Sequence, residues 1–338
     1  MIKKIQTCFG KIVISKKHVL CKHTRYFGIT AKLQEILCLL AQGYVFEAAA
    51  EILAELLGIH ISAKQIQRLS ENYGQQLEGQ LQEQAQGKQA AAVLPLKTKQ
   101  EPVYVMLDGS MVFTRKAGWK EIKVARLFKA ASQVQVQAHR KQIMQSLYVC
   151  HIGEHGKFLA KLEAYAEPYE HKVFVCDGAQ WIWNWVEDCY PQAMQILDFY
   201  HALEKLGVYA GFQYSDQNRR SGWMERQKQC LLAGGVEQLL CELKDTVATN
   251  KQARKARQDV VRYYENNKKR MQYKDYREKG YMIGSGAIEA AHRNVVQQRL
   301  KLSGQRWSIA GAQQIVNLRA SKKSNQWNTV VQLIKSAA

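Results

Sequence analysis

The sequence predicts an α/β fold: a mixed sheet, preceded by a helical region and followed by a long helical insertion. Three observations carry this. Between residues 102 and 200, short apolar runs and helical stretches follow one another in the order β-β-β-α-β-α-β. Three strands and then alternation make a mixed sheet with helices on both faces. Residues 29–76 upstream and 201–283 downstream carry helical rather than strand periodicity.

Residues 1–28 form a basic segment with short β-like runs such as Ile12-Val-Ile. Within 29–76, Leu33, Ile36, Leu37, Leu39 and Leu40 mark a first amphipathic helix, and Phe46 to Leu57 a second, ended by Gly58. Ser62 is an N-cap for a third helix, from Ala63 to about Tyr73. Helix, short turn and helix is the outline of a helix-turn-helix, whose last helix offers Lys64, Gln65, Gln67 and Arg68. A plain helical hairpin has the same outline. Residues 77–101, rich in Gln, Ala and Lys, read as a connector.

Val103 to Leu107 is a buried strand that the Asp108-Gly109 turn should terminate. Trp119 to Phe128 and Ser146 to Ile152 give the next two strands, and His155 to Glu167 a helix. Lys172 to Cys176 is another strand ending in Asp-Gly, at Asp177-Gly178. A Trp-rich helix (Trp181 to Val186) leads to a fifth strand, Gln192 to Leu197, which Asp198 ends. The pattern is then helical and basic from His201 to about Lys279. It is broken by Gly280 to Gly286 and restarts at Ala287, and residues 284–338 would complete the core and add C-terminal helices.

With 338 residues, 46% hydrophobic and 23% charged, the chain can bury a sizeable core, which excludes disorder as the default. Its net charge of +20 favours a polyanionic partner. The charge is clustered. Residues 1–28 hold Lys3, Lys4, Lys11, Lys16, Lys17, Lys22 and Arg25 and no acid, and residues 251–279 are strongly basic. Such runs fit a phosphate-backbone footprint as well as a solvated face. No apolar stretch is long and uncharged enough for a membrane span, and no signal peptide is expected. The eight scattered cysteines, without a CxxC pair, read as reduced and mostly buried thiols. Cys8, Cys21 and His23 lack a fourth ligand for a zinc site.

Asp108 and Asp177 both follow strands, where functional residues of open α/β sheets collect. An Asp-Gly pair alone is only a turn signal, and an acid such as Glu289 in a first helical turn only complements the helix dipole. Clustered carboxylates repel one another unless a cation neutralises them. Hard oxygen ligands suit Mg²⁺ or Mn²⁺, and two such ions about 4 Å apart support phosphoryl transfer.

The segments Val-Met-Leu-Asp108-Gly-Ser, Val-Cys-Asp177-Gly-Ala-Gln-Trp-Ile-Trp, Ile-Leu-Asp198-Phe-Tyr-His201-Ala and Gly284-Ser-Gly-Ala-Ile-Glu289 resemble those of DDE transposases of bacterial insertion sequences, a group related to the Mutator-like transposases. Ser303-Gly-Gln-Arg-Trp307 and Leu318-Arg319-Ala resemble the tail of that family. The resemblance implies an RNase H-like core with the basic helical insertion at 201–283. It makes Asp108, Asp177 and Glu289 the metal-binding catalytic triad, with Asp198 and His201 auxiliary and Asp198 a reserve metal ligand. It implies Mg²⁺ (or Mn²⁺), two ions, with terminal inverted repeats and target DNA as partners. A homo-oligomeric synaptic complex and a cytoplasmic, nucleoid-associated setting would go with it. An RNase H-like nuclease without strand transfer, or a non-catalytic DNA-binding derivative, would share most of these features.

Overall fold

The computed structural model describes residues 2–21, 28–137 and 140–336. The chain opens with the antiparallel hairpin β1 (Ile2–Thr7) and β2 (Gly10–Ser15), followed by helices α1 (Ala31–Gly43), α2 (Phe46–Leu57) and α3 (Ala63–Ala85). Next come β3 (Val103–Thr114), β4 (Gly118–Lys129), the small hairpin β5 (Gln133–Gln137) and β6 (Arg140–Ile143), β7 (Leu147–Ile152) and α4 (His155–Ala166). After β8 (Lys172–Cys176), α5 (Gln180–Cys189) and β9 (Met194–Leu197) lies a helical run: α6 (Phe199–Gln213), α7 (Gln217–Leu232), α8 (Val236–Asp245), α9 (Lys251–Asn267) and α10 (Tyr273–Glu278). The chain closes with α11 (Gly286–Ala291), a π-helical segment (His292–Gln297), α12 (Gln298–Leu300), α13 (Ile309–Lys323) and α14 (Trp327–Ser336).

Five of the strands form one mixed sheet in the order β7-β4-β3-β8-β9. β4 and β7 pair antiparallel, and the tight turn Arg115-Lys116-Ala117 between β3 and β4 permits only an antiparallel neighbour. β8 runs parallel to both β3 and β9, and α5 supplies the crossover between β8 and β9. The mixed sheet and its helices are therefore as the alternation of apolar runs predicts. The β5–β6 hairpin was not expected, because its QVQVQ run buries little and reads as polar.

Contacts divide the chain into two compact units. The first comprises Met1–Lys97, Gly109–Tyr169 and Glu289–Ala338, the second Thr98–Asp108 and Glu170–Ile288. In the first unit α3 is the spine, burying Ile66, Leu69, Tyr73 and Leu77. Ser62 caps it as expected, accepting from the Gln65 N–H. The helix does not stop near Tyr73. The apolar face continues through Gly74 to Leu77, so the expected connector begins as helix. Gly74 is where α13 crosses most closely, with Asn317 donating to the Gly74 carbonyl (3.2 Å) and to Glu78 (2.9 Å). A β-carbon on Gly74 would lie 2.2 Å from the Gln314 carbonyl oxygen. Gly74→Ala should therefore destabilise the protein by about 1–3 kcal/mol. Thermal melting checks this, and an unchanged midpoint would refute the close crossing.

The buried Arg299 joins the tail of this unit to its first helices. Its guanidinium lies 4.8 Å from the Phe46 ring centroid and 5.0 Å from that of Trp307, and its Nε donates to the Ala41 carbonyl. In the second unit α6 to α10 form a helical layer, with Tyr264 of α9 donating to the Ala202 carbonyl of α6. No helix among the described residues is long and apolar enough to cross a membrane. None of the eight cysteines forms a disulfide, and only Cys38, Cys150 and Cys176 are buried, fewer than the sequence suggested.

Candidate active site

Strand register builds the site in the second unit. β3 pairs β8 with Val103 opposite Lys172 and Val105 opposite Phe174, and the same offset carried forward sets Asp108 opposite Asp177. β8 pairs β9 with Cys176 opposite Leu197, so the next step sets Asp177 opposite Asp198. Three aspartates thus stand in a row at the carboxyl end of three neighbouring parallel segments, the usual location of functional residues in such sheets. Burial pushes the thiol of Cys176, one residue inside this row, well up, and the charges of Asp177, Asp108 and Asp198 add to the rise.

Asp108 differs from expectation in one respect: it lies inside β3 and does not end it. The strand runs on through Gly109 to Thr114. Gly109 lies close to the Glu121 carboxylate of β4, 2.2 Å from where a β-carbon would fall. The parallel partner β8 stops at Cys176, and Asp108 lies just past the last paired residues, Val105 and Phe174.

Asp177 is half-buried, and one carboxylate oxygen accepts from the Ala179 N–H at 3.0 Å. Burial raises its pKa, and the charge of Asp108 adds to that rise. His201 and Lys205 pull the other way without cancelling it. Gly178 lies beneath the ring of Tyr263, where a β-carbon would come within 2.1 Å of the ring. Burial, reinforced by the charges of Asp177 and Asp198, raises the Tyr263 phenol.

Asp198 is built differently. It is the N-cap of α6, and one oxygen accepts from the N–H groups of Tyr200 (2.7 Å) and His201 (3.3 Å). The other accepts from His201 Nδ1 (3.0 Å), the Ser285 N–H (3.0 Å) and the Ser285 hydroxyl. Burial alone would raise this carboxyl, but the bonds from His201 and Ser285 outweigh it and hold the pKa below the usual range. A carboxylate has about four lone-pair sites, and these donors engage both oxygens. In this arrangement Asp198 acts as a clamp that holds His201 and Ser285. Its hydrogen bond pushes the His201 imidazole up to about 9, which places a positive charge beside the aspartates at neutral pH.

The loop before α11 is strapped down. Tyr104 accepts from the Met282 N–H (3.1 Å), the Phe199 N–H donates to the Ile283 carbonyl (2.9 Å), and Ser285 closes on Asp198. Gly284 packs beneath the exposed Tyr200, whose ring would lie 2.6 Å from a β-carbon there. Glu289 belongs to the first unit, exposed in the first turn of α11. Within that unit the π-helical segment that follows α11 is tied to β3 through His292 Nδ1 and the Ser110 hydroxyl, 3.0 Å apart. The helix-turn-helix candidates stand apart from the aspartates in sequence. Lys64 and Arg68 are exposed on the first turns of α3, and Gln65 is half-buried at its cap. Lys22, His23 and Arg25 lie outside the described residues.

Ser285, Lys205 and Tyr263 have no part in the sequence-based site. Lys205 stands four residues after His201, a spacing that sets both on one helix face and is its only signal. Nothing local announces Tyr263, and Ser285 lies inside the Gly284-Ser-Gly-Ala-Ile-Glu289 motif without a role of its own; both act through distant partners.

Among the described residues no group of three or more His, Cys, Asp or Glu is arranged to hold a metal ion. The Asp108–Asp177 pair offers the oxygen donors that a hard divalent cation takes. The Asp177 carboxyl is raised mainly by burial, with the charge of Asp108 adding to it. Mg²⁺ is commonly held by one or two carboxylates, with water and substrate phosphate completing the shell.

Sheet and aspartates define the class: an α/β protein with an acidic site at the carboxyl end of a mixed sheet. Residues 45–335 match the uncharacterised protein family UPF0236, and the chain belongs to that family. No curated protein matches it.

Proposed function

We propose that this chain is a transposase of a bacterial insertion sequence, with an RNase H-like core that cuts and joins DNA by metal-dependent phosphoryl transfer. The observation that carries the reading is the register that sets Asp108 beside Asp177 on adjacent parallel strands. The net charge of +20 supports a polyanionic substrate, and the order of three antiparallel strands followed by parallel ones supports the core. Asp108 and Asp177 would hold Mg²⁺ or Mn²⁺, with Glu289 as the third carboxylate on the strength of its motif. When bound, the ions would activate the attacking oxygen and stabilise the leaving one. His201 and Lys205 contribute positive charge beside Asp177 and favour its ionised form. Asp198 holds His201 and the loop leading to Glu289's helix in place. Lys64, Gln65 and Arg68 would contact DNA at the terminal inverted repeats, in a homo-oligomer that brings two ends together.

The test uses the purified chain, Mg²⁺ and DNA carrying the sequences that flank its own coding region, scored for cleavage and strand transfer. Asp108→Ala, Asp177→Ala and Glu289→Ala should each lower the rate by more than roughly 100-fold, beyond the loss typical of outer-shell partners, while DNA binding persists. Cleavage without joined products would make the protein a nuclease. Binding with no reaction in any metal would make it a DNA-binding derivative.

A further inference from the structure

Beside Asp177 the second unit opens into a cleft of about 710 Å³, within the range of small-molecule sites. One wall is α5, which starts at Gln180, directly after the N-cap Ala179 that follows Asp177-Gly178. Its Trp183 indole N–H donates to the Asp177 carbonyl at 2.8 Å. The opposite wall is the end of α9 and the turn Lys268–Arg270 that follows it. Gly178 and Tyr263 close the end nearest the aspartates.

The charges in this cleft are largely committed. Arg270 is buried, its guanidinium 4.5 Å from the Trp183 ring centroid, its Nε bonded to Gln195 (2.8 Å) and its terminal nitrogen paired with Glu187. Glu265 is paired with Lys244 at 2.6 Å and Lys268 with Glu237 at 2.9 Å. Besides the ion-paired Glu187, Glu265 and Lys268, the exposed rim carries the amides Gln180, Asn184 and Asn266 and the ammonium of Lys269. Amides both donate and accept, so they match the edge of a heterocyclic base, and a lysine matches a phosphate. A base-paired nucleotide keeps its edge inside the duplex, and a pocket reads that edge only when the base is unpaired.

We infer that this cleft binds one unpaired nucleotide of the DNA strand being processed, with its base against the Gln180, Asn184 and Asn266 amides and its phosphate near Lys269. The inference rests on the DNA-processing reading and deepens it: the site would take a frayed end in preference to an intact duplex.

The test measures equilibrium binding of the full chain, without divalent metal so that no DNA is cut. One probe is a blunt duplex, the other the same duplex with three unpaired nucleotides at one end. The frayed probe should bind roughly tenfold tighter, within the range per recognised base. Asn184→Phe, which fills the cleft, and Asn184→Phe combined with Lys269→Glu should erase that preference and leave blunt-duplex affinity within about twofold. Asn184→Ala should reduce the preference without adding bulk, which guards against a misfolded variant. Equal affinity of the wild type for both probes, or variants that weaken both probes alike, would overturn the cleft assignment and leave the DNA reading standing. Binding of neither probe would overturn both.

Discussion

Asp177→Asn is expected to stabilise the metal-free protein while abolishing the metal-dependent chemistry on DNA proposed above. The carboxyl is half-buried, and burial together with the charge of Asp108 raises its pKa. A raised folded-state pKa means that the stabilisation of the protonated form is complete below the unfolded value, about 3.9, and is lost as pH rises through the folded value. At neutral pH the ionised group is therefore a cost to the fold. Asparagine removes the charge but keeps an oxygen to accept from the Ala179 N–H. The gain should be roughly 0.5–2 kcal/mol, typical where a strained active site is relaxed. It should be largest above the folded pKa and close on acidification. Mg²⁺ should raise the wild-type melting temperature by binding only the folded state, with about 2.7 kcal/mol at a hundredfold excess over Kd, and leave the variant unmoved. A variant less stable than wild type at pH 7, or an equal Mg²⁺ shift in both proteins, would sink the paired-carboxylate site.

The parts of this site that can be read from the sequence are those encoded locally. An apolar run ending in Asp-Gly marks Asp177, and the same signal marks Asp108, although Gly109 there serves close packing on Glu121 and not a turn. Asp198 followed three residues later by His201 announces a helix start. What stays hidden depends on partners far along the chain. Ser285 meets Asp198 across 87 positions. Tyr263 reaches Gly178 from the end of another helix. The full length of α3 depends on α13, whose Asn317 sits 243 positions from Gly74. Periodicity over a dozen residues carries none of this, because these contacts are fixed by tertiary packing and not by local preference.

Asp198→Ala should be the most damaging single change at the site, for a reason separate from catalysis. It strips the hydrogen-bond acceptor from the Tyr200, His201 and Ser285 N–H groups at a carboxylate only 1% exposed, and it leaves His201 without its counter-charge. Breaking a buried charged pair from one side costs about 3–5 kcal/mol, so a large drop in melting temperature is expected. His201→Gln is the gentler probe, losing about 1.5–3 kcal/mol for a hydrogen bond to a charged group. Its loss should depend on pH in a defined direction. The imidazole is raised from 6.5 to about 9, so its contribution is complete below 6.5 and disappears as pH passes 9. The Asp198 carboxyl is depressed, so its contribution is present above the unfolded value and fails only as pH falls through the folded one. Melting curves of wild type and His201→Gln should therefore stand far apart at pH 6 and nearly coincide at pH 10. A gap of constant size across that interval would mean that His201 acts by packing, and that the positive charge beside Asp177 is not held there by Asp198.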